Sequence, residues 1–337
     1  MAQIQNAFTL FLSLLVEAIP FLLLGVLLSS ALLLFIDERK LISGMPRNPI
    51  LGALMGSCIG FLFPVCECGN VPVARRLLMQ GMPTSVAIGF LLAAPTINPI
   101  VIWATWTAFR DQPEVVVLRV VFSLAIATII GWIFSTQTNI APMLQPFLAN
   151  RLNVLQSLPL QPEPVPSTYT LLQSGTYILG ETEKPRSFEA LARATTPLKM
   201  SQGKRLQVYL ENVSFELREL GGMLVLGSAI AACIQVFIPR EVILNLGQDP
   251  MTSILAMMIL AGIVSICSTV DAFFALSFAS SFTTSSLLAF LVFGPMIDLK
   301  GIGLMLSIFR PRILIYLFLL AAQLTFIFAL VHSYFFS

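Results

Sequence analysis

The chain has 337 residues, 57% of them hydrophobic and 11% charged, with a formal net charge of +2 and a mean hydropathy of +0.88. Soluble domains carry roughly 25% charged residues, so this composition excludes an ordinary globular domain and describes an all-α polytopic membrane protein embedded in a lipid bilayer. No basic run with interleaved aromatics occurs, which removes nucleic acid as a partner. The five cysteines are scattered through apolar sequence and do not form a secreted disulfide framework.

No lysine or arginine precedes Arg39, and apolar sequence continues to Ile36. A cleavable signal needs a basic start and a shorter core. Residues 18–36 therefore read as a retained first span, residues 4–16 as an amphipathic lead-in, and Glu17 as an interfacial carboxylate. After the charged loop Asp37–Arg47, the segment Ile50–Val65 carries Gly52, Gly56, Ser57 and Gly60, small residues that let helices approach closely. A short piece follows at Val71–Met82. Next comes Thr84–Phe109, which Pro95 and Pro99 interrupt; proline removes a donor and clashes with the preceding turn, predicting a break near Ala94–Asn98. Val115–Ser135 is the next span, with Arg119 near its start.

Residues 136–205 are polar, and Pro159, Pro162, Pro164 and Pro166 cluster there. They read as a linker, either a tether or a regulatory or docking segment. The chain thus divides into a first membrane repeat at 1–135, the linker at 136–205, and a second membrane repeat at 206–337. The repetition rests on polar landmarks as well as apolar bulk. Glu17, Gly25, Ile36, Cys66, Pro95, Asn98 and Phe109-Arg110 recur in order as Glu219, Gly227, Ile238, Cys267, Pro295, Asp298 and Phe309-Arg310.

Each repeat holds four or five segments, depending on whether Val71–Met82 and Asp271–Phe282 cross. Five segments make the repeats inverted and four make them parallel; five is preferred. The basic loop Arg39, Lys40, Arg47 points to a cytoplasmic first loop, whereas Arg110 and Arg119 point the other way. Inverted repeats with broken helices at their interface mark secondary transporters, whose sites lie near the midplane at those breaks. Pro95-Thr96-Ile97-Asn98 and Pro295-Met296-Ile297-Asp298 meet that description. A kink used only for packing is the plainer alternative.

Ionisable groups at membrane depth are functional candidates. The candidate binding set is Cys66, Glu67, Cys68, Asn70, Pro72, Arg75, Pro95, Thr96, Asn98, Cys267, Asp271, Pro295 and Asp298. Thiolates select soft centres, so Cys66 and Cys68 are the metal-ligand pair, with Cys267 able to approach from the other half. Cys58 and Cys233 read as small apolar residues. Arg75 and Arg76 either attract an anion, counter Glu67, or snorkel. Asp298 is expected to pair with Lys300, and Asp271, with no basic sequence neighbour, is a candidate proton relay. His332 reads as interfacial.

The motifs FPVCECGNVPVARRLLMQG, APTINP and FGPMIDLKG resemble those of the YraQ/ArsP family of predicted permeases, over both membrane halves but not the linker. The resemblance implies a cell-membrane permease with no enzymatic activity and no resident cofactor, often working with a small membrane partner protein. ArsP-type members are associated with efflux of trivalent organoarsenicals, and others with metal-linked roles. It implicates Cys66, Cys68, Pro72, Arg75, Pro95, Asn98 and Asp298. The family pattern has a small residue, often serine, between the paired cysteines; Glu67 stands there in this chain and favours a cation. The expected function is therefore movement of a soft metal, metalloid or thiol-reactive small molecule. The alternative is a thiol–disulfide electron carrier using Cys66 and Cys267.

Overall fold

The structure is a computed structural model that describes residues 2–35, 46, 48–63, 66–136, 143–145, 202–237, 249–279 and 281–336. The basic loop Arg39, Lys40, Arg47 and most of the 136–205 linker lie outside the described residues. The described residues are helical apart from connections and one isolated bridge, Leu144 to Phe309.

The first half runs α1 (Ala2–Phe35), α2 (Pro49–Ile59, continued by a 3-10 turn at Gly60–Leu62), α3 (Glu67–Met79), α4 (Thr84–Ile97), α5 (Pro99–Ala108) and α6 (Pro113–Ser135). The second half runs α7 (Gln202–Phe237), α8 (Pro250–Val264), α9 (Asp271–Leu276), α10 (Thr284–Met296), α11 (Leu299–Met305) and α12 (Pro311–Phe336). Helices long and apolar enough to cross a membrane occur in both halves, at Gln5–Ala31, Thr84–Ala108 and Pro113–Ser135, and at Tyr209–Val236, Thr284–Met305 and Pro311–Phe335.

Local sequence explains most helix ends. Proline occupies the first turn of α2, α5, α6 and α8, where its missing N–H costs nothing. Asn48 and Asn98 cap α2 and α5, their side chains accepting from the Ile50 and Ile100 N–H at 3.2 and 2.9 Å. The predicted proline break is present: α4 ends at Ile97, and Asn98 takes φ −58°, ψ 135° before α5 begins. In the second half Ile297 and Asp298 leave the helical region in the same way between α10 and α11.

Pairwise contacts fix the helix directions. Gly52, Gly56 and Gly60 of α2 and its turn meet Ser85, Val86 and Ala94 of α4, in increasing order on both. These helices therefore run parallel, and a Cβ at Gly56 would fall 2.2 Å from the Val86 carbonyl oxygen. The small residues in this segment serve the close approach expected of them. In the second half Ser253 meets Ser286 at 2.6 Å and Gly262 meets Phe293, so α8 and α10 are also parallel. Two parallel neighbours in sequence require the chain to return between them. In the first half α3 lies on that return, and in the second half α9 does.

The halves meet along α1 and α7. Ser30 accepts from the Asn212 amide at 2.9 Å, Ser29 donates to Glu216 at 3.3 Å, and Leu14 clusters with Ala231 and Ala232. Rising numbers on α1 match falling numbers on α7, so these two helices are antiparallel.

Two expectations change. Residues 4–16 are not a separate lead-in, because α1 is continuous from Ala2 through Pro20 to Phe35. Glu17 consequently lies inside the Gln5–Ala31 span, half-buried, rather than at its edge. The linker also has an anchored piece. Met143 and Leu144 are buried, Gln145 N–H donates to the Ile308 carbonyl at 2.9 Å, and Arg310 Nε donates to the Leu144 carbonyl at 3.0 Å.

Candidate functional site

Cys66 is the N-cap of α3, in extended conformation, and its carbonyl accepts from the Gly69 and Asn70 N–H groups at 3.0 and 3.1 Å. Cys267 holds the corresponding position before α9, its carbonyl accepting from Val270 and Asp271 at 2.9 and 3.1 Å. Each thiol therefore sits just ahead of a short helix. Both are buried.

The two thiols converge. The Cys66 and Cys267 sulfurs and a Glu67 carboxylate oxygen all lie within 4.8 Å of one another. Glu67 is buried, and neither of its oxygens receives a hydrogen bond among the described residues. Its charge partner is Lys300 in the first turn of α11, with Nζ 3.6 Å from Oε1 and both side chains almost wholly enclosed, at 1% and 5% exposure. Asp298 lies close enough to add its negative charge to the same place, and Glu17 adds its own near Lys300. Two thiols, two carboxylates and one ammonium thus share a buried interior. Buried charge of this kind is costly unless paired, and here the carboxylates outnumber the cation. That donor set suits a cation with soft-ligand preference.

Cys68 lies beside Cys66 and Lys300 but outside the three-donor group. Cys66 thus touches Cys68 on its own segment, while Cys267 and Glu67 complete the three-donor group around it. Cys68 is its sequence neighbour, whereas the fold delivers Cys267 from the other half.

The remaining candidates divide by role. Asn98 and Asp298 both cap helices; Asp298 Oδ1 accepts from Gly301 N–H at 2.7 Å, while Oδ2 is buried without a hydrogen bond among the described residues. A cavity of about 410 Å3 is lined by Gln145, Phe215, Glu219, Met223, Leu306 and Ser307. Lys300 pairs with Glu67 and also lies within electrostatic reach of Asp298. Thr96 donates to the Ala93 carbonyl at 2.8 Å, Pro95 and Pro295 precede the two breaks, and Pro72 lies inside α3. Asn70 is fully buried with both amide atoms unbonded among the described residues.

Arg75 does not counter Glu67 or reach the headgroups; it pairs with Glu219 of α7 at 3.0 Å, beside the cavity. Asp271 is not a free relay. Arg119 Nη1 and Nη2 reach Asp271 Oδ1 and Oδ2 at 3.1 and 2.5 Å, from 152 residues away, and Nη1 also donates to Thr105 Oγ1 at 2.7 Å. His332 is buried against Ser285 at 2.8 Å rather than interfacial. Lys300, Arg119 and Glu219 are the residues that sequence reasoning passed over as site members. An ionisable residue inside an apolar segment was the available signal. All three of these ion pairs join the first half to the second.

Ser265, which ends α8, has a left-handed backbone with φ 47°, unusual for a non-glycine residue. Its hydroxyl accepts from Leu299 N–H at 3.1 Å, tying the α8 terminus to the α10–α11 break.

The chain matches the profile of the ArsP_1 family, described as a predicted permease, over residues 3–334. Among curated proteins it is 37% identical over 304 residues to the UPF0718 protein YcgR of Bacillus subtilis, covering 90% of this chain and 89% of that protein. It is 31% identical over 314 residues to a putative two-component membrane permease complex subunit of Streptococcus mutans, covering 93% of this chain and 90% of that one. No solved structure matches at a significant level.

Proposed function

Because the chain belongs to the ArsP_1 family of predicted permeases, we propose that this multi-pass cell-membrane protein carries a soft cation or thiophilic metalloid on Cys66, Glu67 and Cys267. The observation that supports this reading is the convergence of two thiols and an unbonded carboxylate within 4.8 Å, delivered by both halves of the chain. Thiolates supply selectivity for soft centres, and Glu67 supplies a charge that a neutral organoarsenical does not need. The antiparallel packing of α1 on α7 and the like order of elements support reading the halves as inverted repeats. Alternating access would then rock one half against the other around the site.

The test is uptake into everted membrane vesicles, with cadmium, zinc and methylarsenite as separate cargoes. Cargo movement that is lost in Cys66→Ser and Cys267→Ser supports the reading. Wild-type rates in the double variant refute it.

The same proximity of Cys66 and Cys267 favours a second reading, an electron carrier that cycles this pair between dithiol and disulfide. The two readings part at Glu67. Glu67→Gln abolishes cation transport but leaves thiol–disulfide exchange intact, which mass spectrometry of alkylated protein reads directly.

A membrane partner subunit is also part of the proposal, supported by the description of the Streptococcus relative as one subunit of a two-component complex. Blue-native migration from gently solubilised membranes tests it, with a species above the mass of this chain and its own oligomers expected.

A further inference from the structure

Resting on the reading of Cys66, Glu67 and Cys267 as a cation site, we infer that Lys300 is a tethered competitor for that site, displaced from Glu67 onto Asp298 when cargo binds. Three observations lead there. Lys300 Nζ lies 3.6 Å from Glu67 Oε1, beyond hydrogen-bond range, so this contact is one of charge rather than of a directed bond. A second acceptor stands ready: Asp298 Oδ2 is buried without a hydrogen bond among the described residues and belongs to a residue two positions before Lys300. The first Asp298 oxygen is already engaged by Gly301 N–H, so the carboxylate is held in place and presents Oδ2 as a fixed landing point.

A cation ligated by Glu67 and the two thiols brings its charge to the same carboxylate. Like charges around one buried carboxylate repel strongly in a dry interior, and the ammonium has only to swing along its flexible stem. The consequence reaches beyond the site. Glu67 begins α3 of the first half and Lys300 lies in α11 of the second. The Lys300–Glu67 pair ties the halves together, and cargo cuts that tie by moving Lys300 to an acceptor within its own half. Lys300 thereby sets specificity as well. A neutral cargo does not displace an ammonium, whereas a divalent cation does.

The test is titration of purified, detergent-solubilised protein with cadmium, read by cadmium–thiolate ultraviolet absorbance, in wild type and two variants of opposite expected sign. Lys300→Gln removes the competitor and is expected to tighten cadmium binding about tenfold, the change produced by about 1.4 kcal/mol. Asp298→Asn keeps an oxygen for the Gly301 cap but weakens the landing point, and is expected to loosen binding severalfold. In the double variant the loosening should disappear, because no ammonium is left to receive. A residue that only supported the fold would loosen binding when replaced, so tightening is the diagnostic result. Unchanged or weaker binding in Lys300→Gln overturns the inference. If that variant does not fold, Asp298→Asn decides alone: cadmium affinity equal to or tighter than wild type overturns it. Absence of any Cys66- and Cys267-dependent cadmium signal in wild type refutes the cation-site reading itself, and this inference with it.

Discussion

Replacing Asp271 by alanine leaves Arg119 buried without its partner, and this should be among the most damaging single changes in the protein. The guanidinium and carboxylate are 1% and 3% exposed and meet through two contacts of 3.1 and 2.5 Å. At about 3 Å and an effective dielectric near 20, their attraction is about 5 kcal/mol. Desolvation offsets much of that in the intact pair, but removing one partner leaves the full cost of an uncompensated charge, about 3–5 kcal/mol. A loss of 1 kcal/mol shifts Tm by about 2–4 °C for domains of 150–250 residues, so the shift should be on the order of 10 °C. Fluorescence-detected gel filtration of the detergent-solubilised protein after stepwise heating measures it. Arg119→Met combined with Asp271→Leu removes both charges, and Thr105 keeps its bond to the Val101 carbonyl. That double variant should recover most of the loss. A shift under about 2 °C in Asp271→Ala, which corresponds to less than about 1 kcal/mol, refutes the reasoning. So does a double variant as unstable as the single.

Other changes have equally definite outcomes. Cys66→Ser and Cys267→Ser should each abolish transport of the soft cargo, whereas Cys58→Ser and Cys233→Ser, at exposed positions, should leave rates within twofold of wild type, about 0.4 kcal/mol; vesicle uptake distinguishes them. Gly25→Val should prevent stable folding, because even a Cβ there would lie 2.3 Å from the Gly69 carbonyl oxygen where α1 crosses α3; the yield of monodisperse protein reads this. Deleting residues 150–200, which leaves the anchored Met143–Gln145 piece in place, should preserve insertion and transport; loss of uptake with normal membrane insertion would assign the segment a direct role.

Much of this architecture follows from local rules. Long apolar runs specify membrane helices because an unsatisfied backbone is intolerable in lipid. Pro95 and Pro295 specify the two breaks because a ring without an N–H cannot continue the ladder, and Asn98 and Asp298 follow them as caps. The recurrence of Cys66 as Cys267 was legible too, and it pointed to thiols in matching positions before two short helices. Partner choice was not legible. Asp298 and Lys300 are neighbours in sequence, yet Asp298 is committed to the α11 cap while Lys300 reaches across to Glu67. Asp271 has no basic neighbour in sequence and receives Arg119 from 152 residues away. Arg75 finds Glu219 on α7, and Cys66 finds Cys267 from the other half. Proline breaks and hydropathy act over a few bonds, so the chain carries them in its local order. Buried charges and thiols are paired by whichever opposite group the packed helices bring within a few ångströms, and in this fold that group belongs to the other half.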